Sequence, residues 1–591
     1  MAGAPAFDVQ QLRSGVSALL IGKPDGSPLQ MIFERENTMS DDRTWGVLAS
    51  QSAEDALRSR INHDADSFHA EVAAREIHWQ NPSSGAWLAR ADGGPWRGWT
   101  VQGQDTHLEA DAWTPWSDVL DQTAAPYYRW FVGGQTNACF NLVDRHLLEG
   151  RADKTAIIFE GDRWDPSKNE GRGGPVTEQH FSYRVLFEEI IARMRVLQDL
   201  GLQTGDRIAF NLPNIPEQVF YMLAAQRLGI VYTPVFGGFS AKTLSDRIHD
   251  AGAKLVITAD GGYRNAEGVA YKGTYTDPAL DNYIPRETAL TTLKTVLEDY
   301  NLGSLADVLY DDVYASLEGE ITLERSDVMR ELGASLAQQN TVAAELAAEL
   351  RTAVARQLAD AKHDVEHVIV VQYTGQEIVE HARDKLSDDL VAKAKDQIAK
   401  DLGLDTFEQL ADDAPSALWS KLNGVLPAVS VDANFPLFII YTSGSTGKPK
   451  GVVHTHGSWL SGVSHTMRTV FNATHDDTLY VIGDPGWITG QSYLIAAPLV
   501  QGMTTVIAEG SPLFPHAGRF SSIIERYKVT LFKAGSTFLK AVMTDPASAR
   551  EMADFDMSSL RAGTFCAEPV SPAVQQFAMD NICKHYINSY W

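Results

Sequence analysis

The strongest constraint on the fold is a regular alternation of short apolar runs and amphipathic stretches between residues 156 and 257. The apolar runs have the length of buried strands, whereas the amphipathic stretches repeat apolar residues every three or four positions, as helices do. Alternation of this kind is typical of a parallel sheet with helices on both faces. We therefore predict an α/β fold with strands at 156–159, 207–211, 230–236 and 254–257, and helices at 181–202, 217–228 and 243–251.

A segment rich in glycine and hydroxyl groups, YTSGSTGKPKG, spans residues 441–451 and follows the apolar run FPLFII. Backbone N–H groups, hydroxyls and a lysine at a strand end suit a polyphosphate. The pattern therefore predicts a phosphate site formed by Thr442, Ser443, Gly444, Ser445, Thr446, Gly447 and Lys448. A solvated linker is the alternative interpretation of this composition. A Walker A loop is disfavoured, because Pro449 follows Lys448 where that loop has Ser or Thr.

The segment 441–451 resembles the phosphate-binding loop of the adenylate-forming superfamily, which includes acyl-CoA synthetases, luciferases and peptide-synthetase adenylation domains. Residues 119–147 and the segments VFGGFSAKTLSDRI and LVITADGGYR resemble AMP-forming acetyl-CoA synthetases in particular. The resemblance implies an acid–thiol ligase that uses ATP and Mg²⁺ to join a small carboxylic acid to coenzyme A. It also implies that Thr442 and Lys448 are catalytic, and it supplies no metal ligand within this chain.

The same resemblance implies roles for four further segments. Coenzyme A would contact Phe236, Gly237, Gly238, Arg264 and Thr489. The acyl pocket would be lined by Trp487, Ile488, Thr489, Cys566 and Trp591, and adenine would be bound by Ala567, Glu568, Pro569, Asn588, Ser589 and Tyr590. Four positions depart from the family pattern: Glu267 replaces a second arginine of the phosphate clamp, Cys566 replaces a valine, Ala567 replaces a glycine and Asn588 replaces an aspartate. An acid at 267 would weaken phosphate binding.

The resemblance divides the chain into five parts. They are an N-terminal extension and wrapping segment (1–117), the first part of the AMP-binding core (118–282), a helical insertion (283–363), a core continuation with a smaller insertion at about 385–425 (364–434) and the second core part (435–591). The Trp-rich sequence up to residue 116 is predicted to be irregular. Since the family's small C-terminal domain would follow residue 591, we expect the chain to be a fragment of a longer enzyme.

An apolar stripe runs along the insertion at 283–363, where Leu346, Leu350, Val354 and Leu358 repeat every fourth residue. We interpret the stripe as internal packing. A docking face for another domain is the alternative. His454 and His456 are interpreted as surface histidines, because neighbours one residue apart on a helix cannot face one metal.

Composition restricts the partners. A formal charge of −26 disfavours nucleic acid and anionic membranes. No apolar run is long enough to span a membrane. Three widely separated cysteines without zinc-binding spacing favour a cytoplasmic location.

The long insertion and the additional N-terminal residues most resemble the ligase part of propionyl-CoA synthase. This resemblance implies 3-hydroxypropionate as the acid, and fused or docked hydratase and reductase domains as partners. A stand-alone acetyl- or propionyl-CoA synthetase is one alternative, and a non-catalytic scaffold that retains the fold is another. Association into a homo-oligomer is left open by the sequence.

Overall fold

A computed structural model describes residues 51–589 except 91–92, 110–112, 340–341, 362–363 and 444–448. Two seven-stranded sheets form its centre. Sheet A contains, in spatial order, the strands Glu178–Ser182, Thr155–Glu160, Thr504–Ala508, Thr478–Val481, Leu531–Gly535, Ala562–Cys566 and Tyr586–Asn588. Sheet B contains Asp384–Leu386, His367–Val371, Leu255–Ala259, Arg207–Asn211, Val231–Pro234, Pro436–Ser443 and Pro449–Thr455.

Both sheets are parallel except at one edge pair each. The antiparallel pairs are Glu178–Ser182 with Thr155–Glu160, and Pro436–Ser443 with Pro449–Thr455. Parallel neighbours require crossover connections, which bring helices onto the sheet faces and bury the strands on both sides. The strand Leu255–Ala259 is accordingly buried at every position. The predicted α/β fold class is confirmed.

Helices cover the sheets and fill the crossovers. Tyr183–Asp199 is representative: it begins after Ser182, whose hydroxyl accepts a hydrogen bond from the Val185 N–H, and it buries the predicted apolar face. The other helices outside the insertion are Gln51–His63, Ala65–Glu76, Arg145–Leu148, Pro216–Leu228, Ala241–Asp250, Asp277–Asp281, Ser387–Asp401, Pro415–Val425, His456–Thr469, Ala497–Val500, Gly518–Tyr527, Ser536–Thr544, Ser548–Ala553 and Pro572–Asn581. Shorter π and 3₁₀ turns lie at Phe140–Asp144, Asn169–Gly171, Lys272–Thr276, Phe407–Asp412 and Gly490–Ala496.

The Trp-rich N-terminal sequence forms an antiparallel sheet, so the prediction of irregular structure is wrong. Its strands are Trp79–Gln80, Trp87–Arg90, Trp96–Trp99 and Asp105–His107. Trp79, Trp87 and Trp96 are buried, and Trp87 stacks on Phe140 at a centroid distance of 4.1 Å. These strands are too short to show the alternating pattern on which strand prediction depends. Further two-stranded ribbons pair Asp118–Asp121 with Arg129–Val132, Gln135–Thr136 with Val431–Asp432, Trp164–Asp165 with Gly174–Pro175, Gly262–Arg264 with Glu267–Val269, and Tyr283–Pro285 with Thr322–Glu324.

In its described residues, the predicted helical insertion contains four helices, Arg286–Asp299, Ser304–Ser316, Arg325–Gln338 and Ala344–Asp360. They share a hydrophobic cluster of their own, in which Leu350, Val354 and Leu358 are fully buried and Leu346 is partly buried. The interpretation of the stripe as internal packing is therefore confirmed. A stripe that is already covered by its own helices is not available as a docking face.

His456 is fully buried at the start of the helix His456–Thr469, so the interpretation as a surface histidine is wrong for this residue. Its Nδ1 accepts a hydrogen bond of 3.1 Å from the Ala138 N–H, and its Nε2 has no partner among the described residues. His454 lies in the preceding strand, partly exposed, and stacks on Phe438. The contact with Ala138 joins distant segments, which local sequence patterns do not reveal.

Within the described ranges, no helix combines the length and apolar character needed to cross a bilayer.

Candidate active site

A cavity of about 300 Å³ lies where strand ends of the two sheets meet. Sheet A contributes the segment after Thr478–Val481 and Ala508, at the end of Thr504–Ala508; sheet B contributes Asn214 and Phe236, which follow two of its strands. The Asn214 side-chain amide donates a hydrogen bond of 3.2 Å to the Gly483 carbonyl and so links the two sides. The carboxyl ends of parallel strands are where open α/β sheets bind ligands.

Aromatic residues form one wall of this cavity. Trp487 is 49% exposed, and its ring lies 6.1 Å from that of Phe236 and 5.9 Å from that of Phe239. The structure therefore brings together a predicted acyl-pocket residue, Trp487, and a predicted coenzyme A contact, Phe236. A half-exposed tryptophan on a cavity wall offers a large apolar surface to a ligand.

Gly237 and Gly238 follow Phe236, and both are required by packing. A Cβ atom on Gly237 would lie 2.4 Å from the Tyr271 hydroxyl, and one on Gly238 would lie 2.5 Å from the Phe236 ring. The glycines thus have a structural role at these positions, whether or not coenzyme A contacts them.

Ile488 and Thr489 follow Trp487 and directly precede the π turn Gly490–Ala496, and like Cys566 they are not among the lining residues of this cavity. The turn is anchored by Gln491, whose amide donates to the Pro485 carbonyl at 2.6 Å and accepts from the Tyr232 hydroxyl at 2.8 Å. Asp484 lines the cavity and accepts a hydrogen bond from the Gly486 N–H at 2.7 Å. Burial raises the pKa of Asp484 to about 7.

Arg264 and Glu267 lie opposite each other in the ribbon Gly262–Arg264 with Glu267–Val269. Both side chains are exposed, and the turn between them has positive φ at Asn265 and Ala266. The Ala266 N–H donates to the Asp162 carboxylate at 2.6 Å, which holds the turn in place. A carboxylate therefore stands across from the arginine predicted to bind a coenzyme A phosphate.

The segments predicted to bind adenine are neighbours in sheet A. Phe565, next to Cys566, pairs with Asn588, and the Ser589 N–H donates to the Phe565 carbonyl at 2.9 Å. Ala567 has a φ of 78°, a left-handed conformation that glycine adopts without strain. This explains the glycine that the family has at this position. Glu568 is exposed and accepts from the Lys540 ammonium at 2.9 Å, which lowers the pKa of its carboxyl; Pro569 follows it.

Lys533 is a candidate site residue that the sequence interpretation missed. It lies in the strand Leu531–Gly535, is 1% exposed and donates to the Ser589 hydroxyl. Burial lowers the pKa of Lys533 to about 8, while the neighbouring Cys566 opposes that shift. Cys566 itself is 2% exposed. A lysine inside an apolar strand was the available signal, because such a residue is rarely buried without a partner.

Thr442 and Ser443 end the strand Pro436–Ser443, and Ser443 pairs with Pro449 in the next strand. The intervening segment connects two paired strands, which argues against a linker between domains. Gly444, Ser445, Thr446, Gly447 and Lys448 lie outside the described residues, as do Tyr590 and Trp591. Their predicted roles, like those of the other site residues, stay predictions.

Comparison with known families decides the classification. Residues 145–375 and 338–591 match the family model described as AMP-binding enzyme. The chain belongs to the AMP-binding enzyme family. Residues 106–142 of this AMP-binding enzyme also match the model described as acetyl-coenzyme A synthetase N-terminus.

Similar proteins include three bacterial acetyl-coenzyme A synthetases. The Streptomyces coelicolor protein is 32% identical over 470 residues, which cover 79% of this chain and 53% of the relative. The Methylobacillus flagellatus protein is 33% identical over 522 residues (88% and 56%), and a Mycobacterium tuberculosis protein is 32% identical over 476 residues (79% and 54%). The chain spans about half the length of the curated relatives it matches.

Proposed function

We propose that this chain is the nucleotide- and acyl-binding part of an AMP-forming acyl-CoA synthetase. The observation that carries the proposal is the cavity between the two sheets, where residues predicted to bind the acyl group and coenzyme A lie together. Family membership and the similarity to acetyl-coenzyme A synthetases support the same reaction class.

The proposed reaction has two steps. A carboxylate oxygen of the acid, which is ionised at neutral pH, attacks the α-phosphorus of ATP, and the bond to pyrophosphate breaks. The thiolate sulfur of coenzyme A then attacks the acyl carbon of the acyl-adenylate, and AMP leaves. No side-chain nucleophile is required, because the protein acts by positioning the reactants and stabilising charge.

The residues of the chain would orient the reactants. Backbone and hydroxyl donors of the segment 442–448 would hold the leaving pyrophosphate, and the strand ends at 566–569 and 588–589 would hold the nucleoside. Mg²⁺ would arrive on the triphosphate, whose oxygens supply much of its coordination. Among the described residues, the one cluster with metal-ligand spacing is Asp277, Asp281 and His381. Its carboxylates already form ion pairs, Asp277 with Lys272 and Asp281 with Arg383. We therefore assign no step to a protein-bound metal.

Pyrophosphate exchange in the intact enzyme tests the proposal. We expect Lys448→Ala and Gly447→Val each to lower the exchange rate by about a hundredfold or more, since each removes or displaces donors that stabilise transferred charge. Lys450→Ala is the matched control, because Lys450 is an exposed lysine of the adjoining strand. An exchange rate that neither loop variant changes would contradict the assignment.

For the acid, we propose 3-hydroxypropionate. Lys533 supports this choice, because a buried ammonium beside Cys566 could donate to an acceptor on the acyl chain. Cys566 also leaves a pocket of different shape from that of a valine-bearing relative. Acetate and propionate are the competing substrates. Exchange rates with each of the three acids distinguish them.

Fused or docked hydratase and reductase domains belong to the same proposal and rest on the resemblance to propionyl-CoA synthase. The coding sequence after codon 591 tests this part, and its failure would leave the ligase assignment standing. A non-catalytic scaffold is the rival from another class. Calorimetry with ATP on the wild type and on Lys448→Ala separates the two, since a scaffold should show no heat of binding that Lys448→Ala removes.

A further inference from the structure

A second, larger cavity of about 850 Å³ shares no lining residue with the first. Its walls come from the antiparallel sheet at residues 79–107, the end of the helix Ala65–Glu76, the region 145–151 and the end of the helix His456–Thr469. This volume lies within the range of small-molecule sites. The proposed ligase reaction uses none of these residues.

The lining of this cavity is strongly basic. Six arginines face three carboxylates: Arg75, Arg90, Arg97, Arg145, Arg151 and Arg468 against Glu76, Asp105 and Glu149. An excess of positive charge in one cavity stands out in a chain whose formal charge is −26. Because like charges repel at short range, such a cluster favours an anion in the cavity.

Two of the three carboxylates form ion pairs with arginines of the lining. Glu76 is fully buried and pairs with Arg75 at 2.7 Å and with Arg468 at 3.0 Å, and it also accepts from the Ser464 hydroxyl. Glu149 pairs with Arg151. Glu76 and Glu149 thus pair with three of the six arginines, Arg75, Arg468 and Arg151.

Three cavity residues retain unused hydrogen-bonding capacity within the described ranges. Arg97 is exposed and has no hydrogen-bond or ion-pair partner there. Arg145 is buried with its Nε unpartnered, and buried His78 has an unpartnered Nδ1. Burial lowers the pKa of Arg145 to about 10, an effect that Glu76 opposes and Arg468 increases. Burial also lowers the pKa of His78, and the neighbouring Arg145, His146 and Arg151 lower it further. Buried polar atoms normally have hydrogen-bond partners, so the unpartnered Arg145 Nε and His78 Nδ1 indicate that a ligand binds here.

We propose that this cavity binds a small molecule that carries two or more phosphate groups. Guanidinium groups match phosphate oxygens in paired hydrogen bonds, and arginine rather than lysine provides every cation of the lining apart from histidines. Trp99, which stacks on His78 with ring centroids 5.2 Å apart, adds an aromatic surface. The site is separate from the proposed ATP site and does not depend on it.

Calorimetry with inorganic tripolyphosphate as the probe tests this site in the intact protein. We expect Arg97→Ala to weaken binding at this site by about tenfold or more, the effect of losing a charge-assisted hydrogen bond. Arg97→Lys should retain part of the affinity. Arg356→Ala is the matched control, because Arg356 is an exposed arginine of the insertion helix Ala344–Asp360.

A second variant distinguishes tripolyphosphate binding in this cavity from binding at the proposed ATP site. Lys448→Ala should abolish tripolyphosphate binding at the proposed ATP site only, so the two site proposals are tested independently. The inference is wrong if Arg97→Ala binds tripolyphosphate as tightly as the wild type. It is also wrong if the Lys448→Ala protein binds no tripolyphosphate. A folded Arg97→Ala protein is verified by an unchanged thermal transition, as expected for an exposed side chain.

Discussion

The ammonium nitrogen of Lys533 lies 4.3 Å from the centroid of the Tyr493 ring. This distance permits a cation–π interaction, which offsets part of the cost of burying the charge. Lys533 also donates to Ser589, so the ammonium links the strand Leu531–Gly535 to the end of sheet A. A positive charge is therefore fixed beside residues predicted to contact the acyl and adenine groups.

Lys533→Met should reduce selectivity for a hydroxylated acid. Methionine fills similar space without a donor, so we expect kcat/KM for 3-hydroxypropionate to fall about tenfold relative to that for propionate. Steady-state assays with both acids measure the ratio. Lys584→Met, at an exposed lysine, is the control. An unchanged ratio would assign Lys533 a purely structural role.

Arg227→Met should destabilise the fold severely. The Arg227 guanidinium donates to the Asp144 carboxylate, and neither side chain reaches solvent. Removing the arginine leaves a buried charge without its partner, at a cost of about 3–5 kcal/mol in the free energy of unfolding. Urea denaturation measures this loss.

The double variant Arg227→Met/Asp144→Leu controls for the lost packing. It should recover much of the stability, since both charges are gone, although the Trp419 indole N–H loses its acceptor on Asp144. An exposed pair gives the baseline: Arg330→Met, beside Asp327, should change stability by less than about 1 kcal/mol. Equal losses for Arg227→Met and Arg330→Met would refute this account.

His456→Gln should reduce the loss of stability in acid. Burial lowers the pKa of His456 to about 3, so between about pH 3 and pH 6.5 the unfolded chain binds a proton that the folded protein does not. The contribution of His456 to stability therefore decreases as the pH falls through this window. Glutamine can accept from the Ala138 N–H but does not titrate.

The measurement compares urea midpoints at pH 7.5 and pH 5. We expect the wild-type midpoint to fall by more than that of His456→Gln over this interval. The partly exposed His454 provides the control variant, His454→Gln. If His456→Gln shows the same pH dependence as the wild type, the buried imidazole is not responsible.

Ala567→Gly should stabilise the protein by about 0.5–1 kcal/mol. The left-handed φ of Ala567 costs an alanine roughly 1–2 kcal/mol, and the greater freedom of glycine in the unfolded chain cancels part of the gain. Ala541→Gly, in the exposed part of the helix Ser536–Thr544, should instead destabilise by about 1 kcal/mol. Urea unfolding distinguishes the two, and a loss at both positions would contradict the argument from strain.

Local pattern predicted the central strands well and the N-terminal sheet poorly. The strand 207–211 appears with the predicted bounds, because an apolar run there is bounded by turn residues. The strands around Trp87 and Trp96 are too short for their alternation to be read, and their pairing is set by contacts with residues such as Phe140. Periodicity reports local conformation, whereas these strands depend on tertiary packing.

The candidate site was likewise predicted only in part from the sequence. Trp487 and Phe236 were predicted from resemblance, and they lie on one cavity. Lys533 was missed because its role depends on Ser589 and Tyr493, which are separated from it in sequence. The arginine-lined cavity was missed for a similar reason, since its cations come from separate segments that only the folded chain brings together.

The four insertion helices lie between two strands that are immediate neighbours in sheet B, Leu255–Ala259 and His367–Val371, with Leu255 opposite His367. The chain thus leaves the sheet and returns to the adjacent position, and the helices keep a hydrophobic cluster of their own. Evolution can lengthen, shorten or exchange this inserted segment without altering the order of the strands in sheet B. The same junction gives protein engineers a place to graft a reporter while the central sheet keeps its register.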